Sequence, residues 1–508
     1  MNADVRTMDD DHPRAEAVLI RDGVVERVGS TQEIDALAGD LPRVDCQGRT
    51  VLPGFVDGHT HFELSCASLT YWLSAQTPPA TSLADIAEAI RSQAEADGNG
   101  WLVCRSSFGL QTKVAEGRLF TRRELDELEP ERPLIIFAGL HVSMLNTAGL
   151  KRIGILDGLE ERGMTIHRDA DGEPNGVVTE VWDKLPGFSA ELMRAAVERH
   201  TESLLLANGI TSIHTIPFAA SDEAALRDAQ ANGTLPVAVT TYTHVPRLAR
   251  LEDVIAAGRR SAGEPAPWRF GGVKIFVDGQ HGDGLDEVFD DAKWTQDELD
   301  AFVGLADENG IQLWMHAVSE GAVRMAAEAV AKTGPARHGR LRHRIEHGAD
   351  YLDLDDARAI ADAGVRLVTT PHFLASASEE RLARKGTPLR SLIDLGFEVI
   401  GGTDTTGTVP EGASPLYNIA CAVNRGGPGA TPTAEAITFD EAARMFTSWA
   451  AAGGHEDQVR GALRPGLAGD AVILSHDVST VADADLFDVR VARTIIAGIT
   501  RHAGRASA

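Results

Sequence analysis

Two histidines one residue apart, His59 and His61, follow a run of strand-forming residues in the segment VLPGFVDGHTHF, residues 51–62. The apolar residues of this segment predict a buried β-strand. Alternate residues of a strand point the same way, so both imidazoles can reach one metal ion. Metal ligands at the carboxyl end of a buried strand are typical of parallel α/β barrels, which keep their chemistry at that end.

Four further candidate metal ligands occur downstream, each at the end of a short apolar run. They are Lys274 in FGGVKIFVDG, His316 in IQLWMHAV, His347 in LRHRIEHG and Asp404 in FEVIGGTD. Taken alone, each has a structural interpretation: a histidine packed in the core, a lysine reaching for the surface, an aspartate capping a helix. Their joint order at successive strand ends, with helical stretches between, favours one metal site on an α/β barrel.

Several longer segments carry a family resemblance. They are PGFVDGHTHF, GLHVSMLNTAGL, GEPNGVVTE, GVKIFVDG, WMHAVSEGAV, RHRIEHG and ALRPGLAGDAVIL. With these segments, which span nearly the whole chain, it resembles the amidohydrolase superfamily. Within that superfamily it is most similar to the amidohydrolase-3 branch, which includes YtcJ-like proteins and N-substituted formamide deformylase. The resemblance implies a metal-dependent hydrolase on a TIM (β/α)8 barrel.

The two ends of the chain differ in character from its middle. Residues 1–53 contain short alternating segments with Asp-Gly and Gln-Gly turns, and residues 456–508 look similar, so both predict β-hairpins. The resemblance implies that the two ends together form one small β-sandwich domain. Residues 54–455 would then be the barrel, with a large insertion after its first strand at about residues 65–200. We expect this insertion, which is rich in tryptophan and phenylalanine, to roof the pocket and set specificity.

Composition narrows the class of protein. The 508 residues carry a formal net charge of −27, which argues against nucleic acid as a partner because phosphate binding needs a basic face. The sequence has no apolar run of roughly the eighteen residues that a membrane span needs, and its acidic N-terminus lacks the apolar part of a secretion signal. Four cysteines without a CxxC pair fit reduced thiols. We therefore expect a cytoplasmic enzyme for a small-molecule substrate, with no membrane partner, and a homodimer as in related proteins.

The resemblance implies a role for each metal-ligand candidate. His59, His61 and Asp404 would hold the more buried metal ion, and His316 and His347 a second. Zinc is the first expectation, with manganese, iron or cobalt as alternatives. Two cations need an anionic bridge, which Lys274 could supply only as the carbamate formed with carbon dioxide. The alternative for Lys274 is a plain ion pair with an acid such as Asp278.

The same resemblance implies the chemistry. A metal-bound hydroxide would attack a carbonyl carbon, and Asp404 would act as general base before passing the proton to the departing nitrogen. This predicts hydrolysis of a carbon–nitrogen bond in an amide, formamide or cyclic amide. Four further residues are candidates for substrate contact: His141, Glu180, His281 and His372. His281 lies in a loop, GQHGDGLDEVF, that departs from the family pattern.

Two alternatives stay open at the level of sequence. The first is a deaminase of an aminated heterocycle that uses one metal ion and a glutamate as proton shuttle. Glu320 lies four residues after His316, whereas deaminases of this superfamily place their glutamate three residues after that histidine, and Lys274 would have no role in such an enzyme. The second is a non-catalytic metal-binding or ligand-sensing homologue, since a scaffold does not dictate function.

Overall fold

A computed structural model describes most of the chain. The described residues are 1–93, 100–261, 267–279, 292–334, 337, 339–352, 354–376, 387–405, 410–431 and 433–504. The predicted substrate residue His281 lies outside them.

Eight parallel strands form the central sheet, and each strand pairs with the next one along the chain. The first to eighth barrel strands are Phe55–Thr60, Ile210–Thr215, Ala238–His244, Trp268–Phe276, Gln312–His316, Arg344–Glu346, Arg366–Thr369 and Ile400–Gly401. The two ends of the sheet meet where the backbone amide of Asp404 donates to the carbonyl oxygen of His59 at 2.8 Å. The predicted α/β barrel is confirmed.

Helices surround the barrel, and the main hydrophobic core lies between them and the strands. The α-helices in this part of the chain are Phe62–Tyr71, Ala190–His200, Ala220–Ala231, Leu251–Ala256, Gln296–Glu308, Glu320–Ala331, Gly348–Tyr351, Leu354–Asp362, Phe373–Ser376, Leu389–Asp394, Pro415–Asn424, Phe439–Met445 and Ser448–Gly453. Capping residues set several of their starts. At Gln296–Glu308, the Thr295 side chain accepts from the Glu298 amide and Glu298 accepts from the Thr295 amide, so two otherwise unpaired donors are satisfied.

Strands from both chain ends form one six-stranded sheet, here called the terminal sheet. Its order is Arg14–Ala15, Asp4–Arg6, Thr50–Pro53, Ala471–Leu474, Val491–Ile496 and Ile499–Ala503. A separate hairpin, Ala17–Arg21 with Val24–Gly29, precedes a short helix at Thr31–Ala38. The predicted Asp-Gly turn closes this hairpin, since Asp22 and Gly23 have φ of 52° and 82°, as a type I′ turn requires. The chain ends thus share one sheet; the domain boundaries stay a prediction.

The insertion after the first barrel strand forms a second six-stranded sheet, the insertion sheet. Its order is Ile166–Arg168, Pro174–Thr179, Val142–Leu145, Leu134–Ala138, Leu102–Ser106 and Leu73–Ala75. One face packs on an apolar cluster that includes residues of helices Leu83–Gln93 and Arg122–Leu128. The other face packs on a cluster that also contains Phe218 and Phe276 of the barrel. The insertion sheet therefore covers the carboxyl ends of the barrel strands.

Shorter helical segments complete the described elements. They are Thr147–Arg152 (α), Thr201–Leu205 (π) and the 3₁₀ segments Leu110–Thr112, Ile155–Asp157, Trp182–Lys184, Leu206–Asn208, Glu411–Ala413, Val478–Thr480 and Asp483–Asp488. Among the described residues, no helix has the length and apolar character of a membrane span.

Candidate metal centre

Three of the predicted ligands form a tight cluster at the carboxyl end of the barrel. One ligand atom from each of His59, His61 and Asp404 lies within 4.8 Å of the others. Asp404 Oδ1 is 3.5 Å from His59 Nε2 and 3.3 Å from His61 Nε2. His59 lies near the end of the first barrel strand, His61 directly follows that strand and Asp404 follows the eighth, so closure of the barrel is what brings them together.

The other three predicted ligands border this cluster. His347 Nε2 is 4.0 Å from Asp404 Oδ2, and the His347 and His316 rings are 5.0 Å apart. The Nζ of Lys274 lies 4.8 Å from the centre of the Phe276 ring, which in turn is 4.8 Å from the His316 ring. Lys274 is 1% exposed and the histidines are also buried. The structure thus places all six predicted ligands at one end of the barrel.

A buried acid that the sequence analysis missed holds His59 in place. Glu346 Oε2 lies 2.5 Å from His59 Nδ1, and Arg344 donates two hydrogen bonds to the Glu346 carboxylate at 2.8 and 2.9 Å. With Nδ1–H donated to Glu346, Nε2 of His59 is left to bind a metal ion, as in many metal-bound histidines. The Trp314 ring stacks on His59 at 5.0 Å and on the Arg344 guanidinium at 4.0 Å. In the sequence, the alternation Arg-Ile-Glu before His347 predicts that Arg344 and Glu346 share one face of a strand, but it does not indicate that Glu346 contacts His59.

Burial sets the protonation states that metal binding needs. It lowers the pKa of His61 to about 4, that of His347 to about 3 and that of Lys274 to about 8. Burial would raise the pKa of Asp404, but its hydrogen bond to His61 and the neighbouring histidines outweigh this and lower it. Neutral imidazoles and an ionised carboxylate are the forms that bind metal ions.

In the described part of the chain, several buried nitrogen atoms of the predicted ligands have no hydrogen-bond partner, as expected of atoms that bind a metal ion or its water. Three buried ring nitrogens of the predicted ligands lack a hydrogen-bond partner among the described residues: His61 Nδ1, His316 Nε2 and His347 Nδ1. Buried polar atoms without a partner are rare, because each loses its hydrogen bonds to water. A metal ion and its bound water would supply such partners. The residues present therefore fit a metal centre.

Two of the predicted ligands have a strained backbone. His347 and Asp404 have φ of 64° and 43°, a left-handed backbone conformation that residues other than glycine rarely adopt. Such conformations persist only where the surrounding structure imposes them, and they cluster at functional sites. Here they turn the two side chains toward each other.

The insertion sheet contributes a polar group to the same site. His141, in the turn between Leu134–Ala138 and Val142–Leu145, has its ring 5.2 Å from the His316 ring. Its Nδ1 is 2.8 Å from Glu180 Oε1, and Glu180 Oε2 accepts a 2.9 Å hydrogen bond from Lys293. Burial would raise the pKa of Glu180, but the charges of His141 and Lys293 outweigh it and lower that pKa. The two predicted substrate residues therefore contact each other.

The remaining candidates have partners in the fold. His372 follows the seventh barrel strand, is buried, and its Nδ1 lies 3.3 Å from Asn418 Oδ1.

The alternative partner of Lys274, Asp278, contacts the backbone. Its carboxylate accepts hydrogen bonds from the backbone amides of Val318 and Ser319. No ion pair joins Lys274 to Asp278 in the described part of the chain.

Comparison with known proteins agrees with this geometry. A sequence profile of the amidohydrolase family matches residues 43–502. N-substituted formamide deformylase of Arthrobacter pascens is 27% identical, over 99% of this chain and 97% of that protein. Protein LONG AFTER FAR-RED 3 of Arabidopsis thaliana is 25% identical, over 93% of this chain and 86% of that protein.

A solved structure has the same fold. It is an uncharacterized metal-dependent hydrolase from Pyrococcus horikoshii, with a TM-score of 0.72 and 21% identity, over 95% of this chain and 98% of that one. The barrel, the ligand cluster at its carboxyl end and the match of the family profile along nearly the whole chain agree with one another. The chain belongs to the amidohydrolase family.

Proposed function

We propose that this protein hydrolyses a carbon–nitrogen bond in an amide, formamide or cyclic amide, using two divalent metal ions. The observation that carries the proposal is Lys274, a buried amine with a lowered pKa at the same end of the barrel as five other potential ligands. The name of the Arthrobacter pascens relative, a formamide deformylase, supports this type of bond.

The nitrogen and oxygen atoms of these side chains suit two divalent metal ions such as zinc, which binds both kinds of ligand. His59, His61 and Asp404 would hold one ion, and His316 and His347 the other, through imidazole and carboxylate ligands that zinc prefers. An unprotonated Lys274 amine can add carbon dioxide and lose a proton to become a carbamate. That group is a carboxylate on a long arm, so Lys274 would supply an anionic ligand that balances the charge of the ions. The burial of Lys274 favours the unprotonated amine that this step needs.

When bound, divalent ions supply a water molecule of lowered pKa and polarise a carbonyl oxygen. Asp404 would then hold the proton released by that water at a carboxylate oxygen. From there it would pass the proton to the departing nitrogen, as one general base and acid. Glu346 keeps His59 in the correct tautomer throughout.

His141 is placed to act on the substrate rather than on a metal ion. Because its Nδ1 is engaged by Glu180, Nε2 is the atom available to the substrate. In its imidazolium form, His141 would donate from Nε2 to the oxygen that gains charge as the carbonyl carbon becomes tetrahedral. Donors of this type contribute about 100- to 1000-fold to kcat. Lys293 holds Glu180, and so fixes the position of His141.

The test is metal content and product identity measured together. Protein purified without chelators is analysed by mass spectrometry for metal per chain, then assayed against a panel of formamides, acyl amides and cyclic amides. About two ions per chain and release of an amine with its carboxylic acid are expected. Ammonia from aminated heterocycles, with one ion per chain, would instead favour the deaminase. Full metal content without turnover of any substrate would favour the non-catalytic homologue.

A further inference from the structure

An apolar cavity of about 240 Å³ lies between the insertion sheet and the mouth of the barrel. Its walls include Leu64 and Phe218 from the barrel side and Trp72, Val103 and Trp182 from the insertion. These residues belong to the hydrophobic cluster between the two parts of the molecule, so the cavity is a gap in that packing. Well-packed cores leave few voids larger than a water molecule.

The cavity adjoins the candidate metal centre. The Phe218 ring stacks on the ring of the predicted ligand His61, with centres 5.3 Å apart and planes 13° apart. Trp182 packs edge-on against Phe218 at 4.6 Å and lies 5.6 Å from Phe276, the neighbour of Lys274. The Phe218 ring therefore lines the cavity and also contacts the ligand cluster.

The aromatic wall is held in place by a charge. The Arg247 guanidinium lies 5.3 Å from the Trp182 ring and 5.7 Å from the Phe218 ring, so one cation stabilises both. Among the described residues, the buried Nε1–H of Trp182 has no hydrogen-bond partner. The acid in the wall, Asp222, is already engaged by the backbone amides of Phe218 and Ala219. The wall thus offers aromatic surface and an unmet donor.

We propose that this cavity binds a bulky apolar group of the substrate, one attached to the bond hydrolysed at the metal centre. This inference rests on the proposed function and adds to it a class of substrate. An apolar cavity of about 150 Å³ holds a benzene ring, so a volume of 240 Å³ accommodates a phenyl ring with a short linker. The group could belong to either the acyl or the amine side of the bond.

A binding experiment tests the cavity without any need for turnover. Nitroaromatic compounds quench tryptophan fluorescence, and Trp72, Trp101 and Trp182 line the cavity. Titration with 4-nitrotoluene should give saturable quenching in the wild type. Val103→Phe fills the cavity and should weaken this binding at least about 10-fold. The matched control is Val24→Phe in the hairpin of Ala17–Arg21 and Val24–Gly29, where Val24 is 43% exposed. This control variant should bind the probe as the wild type does.

Two outcomes of the titration would overturn the inference: no saturable quenching in the wild type, or equal affinity in a folded Val103→Phe variant. Should that variant lose its near-ultraviolet circular dichroism, Leu73→Phe replaces it. Leu73 lines the same cavity and lies on the neighbouring strand, next to Cys104. The same two criteria then apply.

Paired substrates assign the side of the bond. N-methylformamide is compared with N-(2-phenylethyl)formamide for the amine side, and acetamide with 3-phenylpropanamide for the acyl side. In one pair the bulky member should have a kcat/KM about 10- to 100-fold higher, and Val103→Phe should remove that preference. Hydrolysis without a size preference in either pair would overturn the inference. Saturable probe binding without hydrolysis of any amide would overturn the proposed function and leave the cavity as a binding site.

Discussion

Replacing Glu346 with glutamine should weaken metal binding about 10- to 100-fold, although Glu346 is not itself a predicted ligand. The carboxylate accepts two hydrogen bonds from Arg344 and one from His59 Nδ1. Glutamine has nearly the same shape but only one acceptor oxygen. If that oxygen serves Arg344, the amide NH₂ faces Nδ1 and stabilises the His59 tautomer that carries its proton on Nε2. This tautomer cannot bind a metal ion through Nε2.

The expected change corresponds to about 1.4 to 2.8 kcal/mol of binding free energy. It is measured by dialysing the apoprotein against zinc buffers of stepped free concentration and determining metal per chain by mass spectrometry. Glu456→Gln is the matched control, since Glu456 is also a buried barrel acid. It accepts hydrogen bonds from Ser212 and Thr240 and contacts none of the six predicted ligands among the described residues.

Comparing zinc binding by the two variants tests the role of the His59 tautomer. The zinc isotherm of Glu346→Gln should shift to weaker binding, whereas that of Glu456→Gln should overlay the wild type. Equal isotherms for Glu346→Gln and the wild type would refute the role of Glu346. An equal shift in both variants would show that loss of any buried charge loosens the barrel, and that His59 orientation is not the cause.

Three further predictions follow from the site. Lys274→Met should reduce bound metal from about two ions to about one per chain, because the anionic ligand is lost; unchanged metal content would exclude the carbamate. His141→Asn should lower kcat about 100- to 1000-fold at full metal content, and a change confined to KM would exclude transition-state stabilisation. Burial lowers the pKa of His372 to about 4. Its contribution to stability, about 3 kcal/mol, should be present above pH 6.5 and lost as the pH falls through 4. Urea midpoints of His372→Asn should depend less on pH between 7 and 4 than those of the wild type, and equal pH dependence would contradict this.

The barrel and the positions of its candidate ligands along the chain could be predicted from the sequence alone. Apolar runs ending in His61, His316 and Asp404 predict parallel strands, and the carboxyl ends of parallel strands meet at one end of a barrel. The order of residues along the chain was therefore sufficient to bring distant ligands together. The hairpin turn at Asp22 and Gly23 could also be predicted from its two residues.

The surroundings of those ligands became known only from the folded chain. Glu346 contacts His59 across 287 positions of sequence, and nothing in the local pattern of either segment specifies that contact. His141 and Glu180 reach the site through the pairing register of the insertion sheet, which no single segment contains. The aromatic cavity depends on how the insertion packs over the barrel. Strand ends are set by local periodicity, whereas contacts between elements depend on how the closed barrel and the insertion pack together, and this is why the tertiary structure was needed to define them.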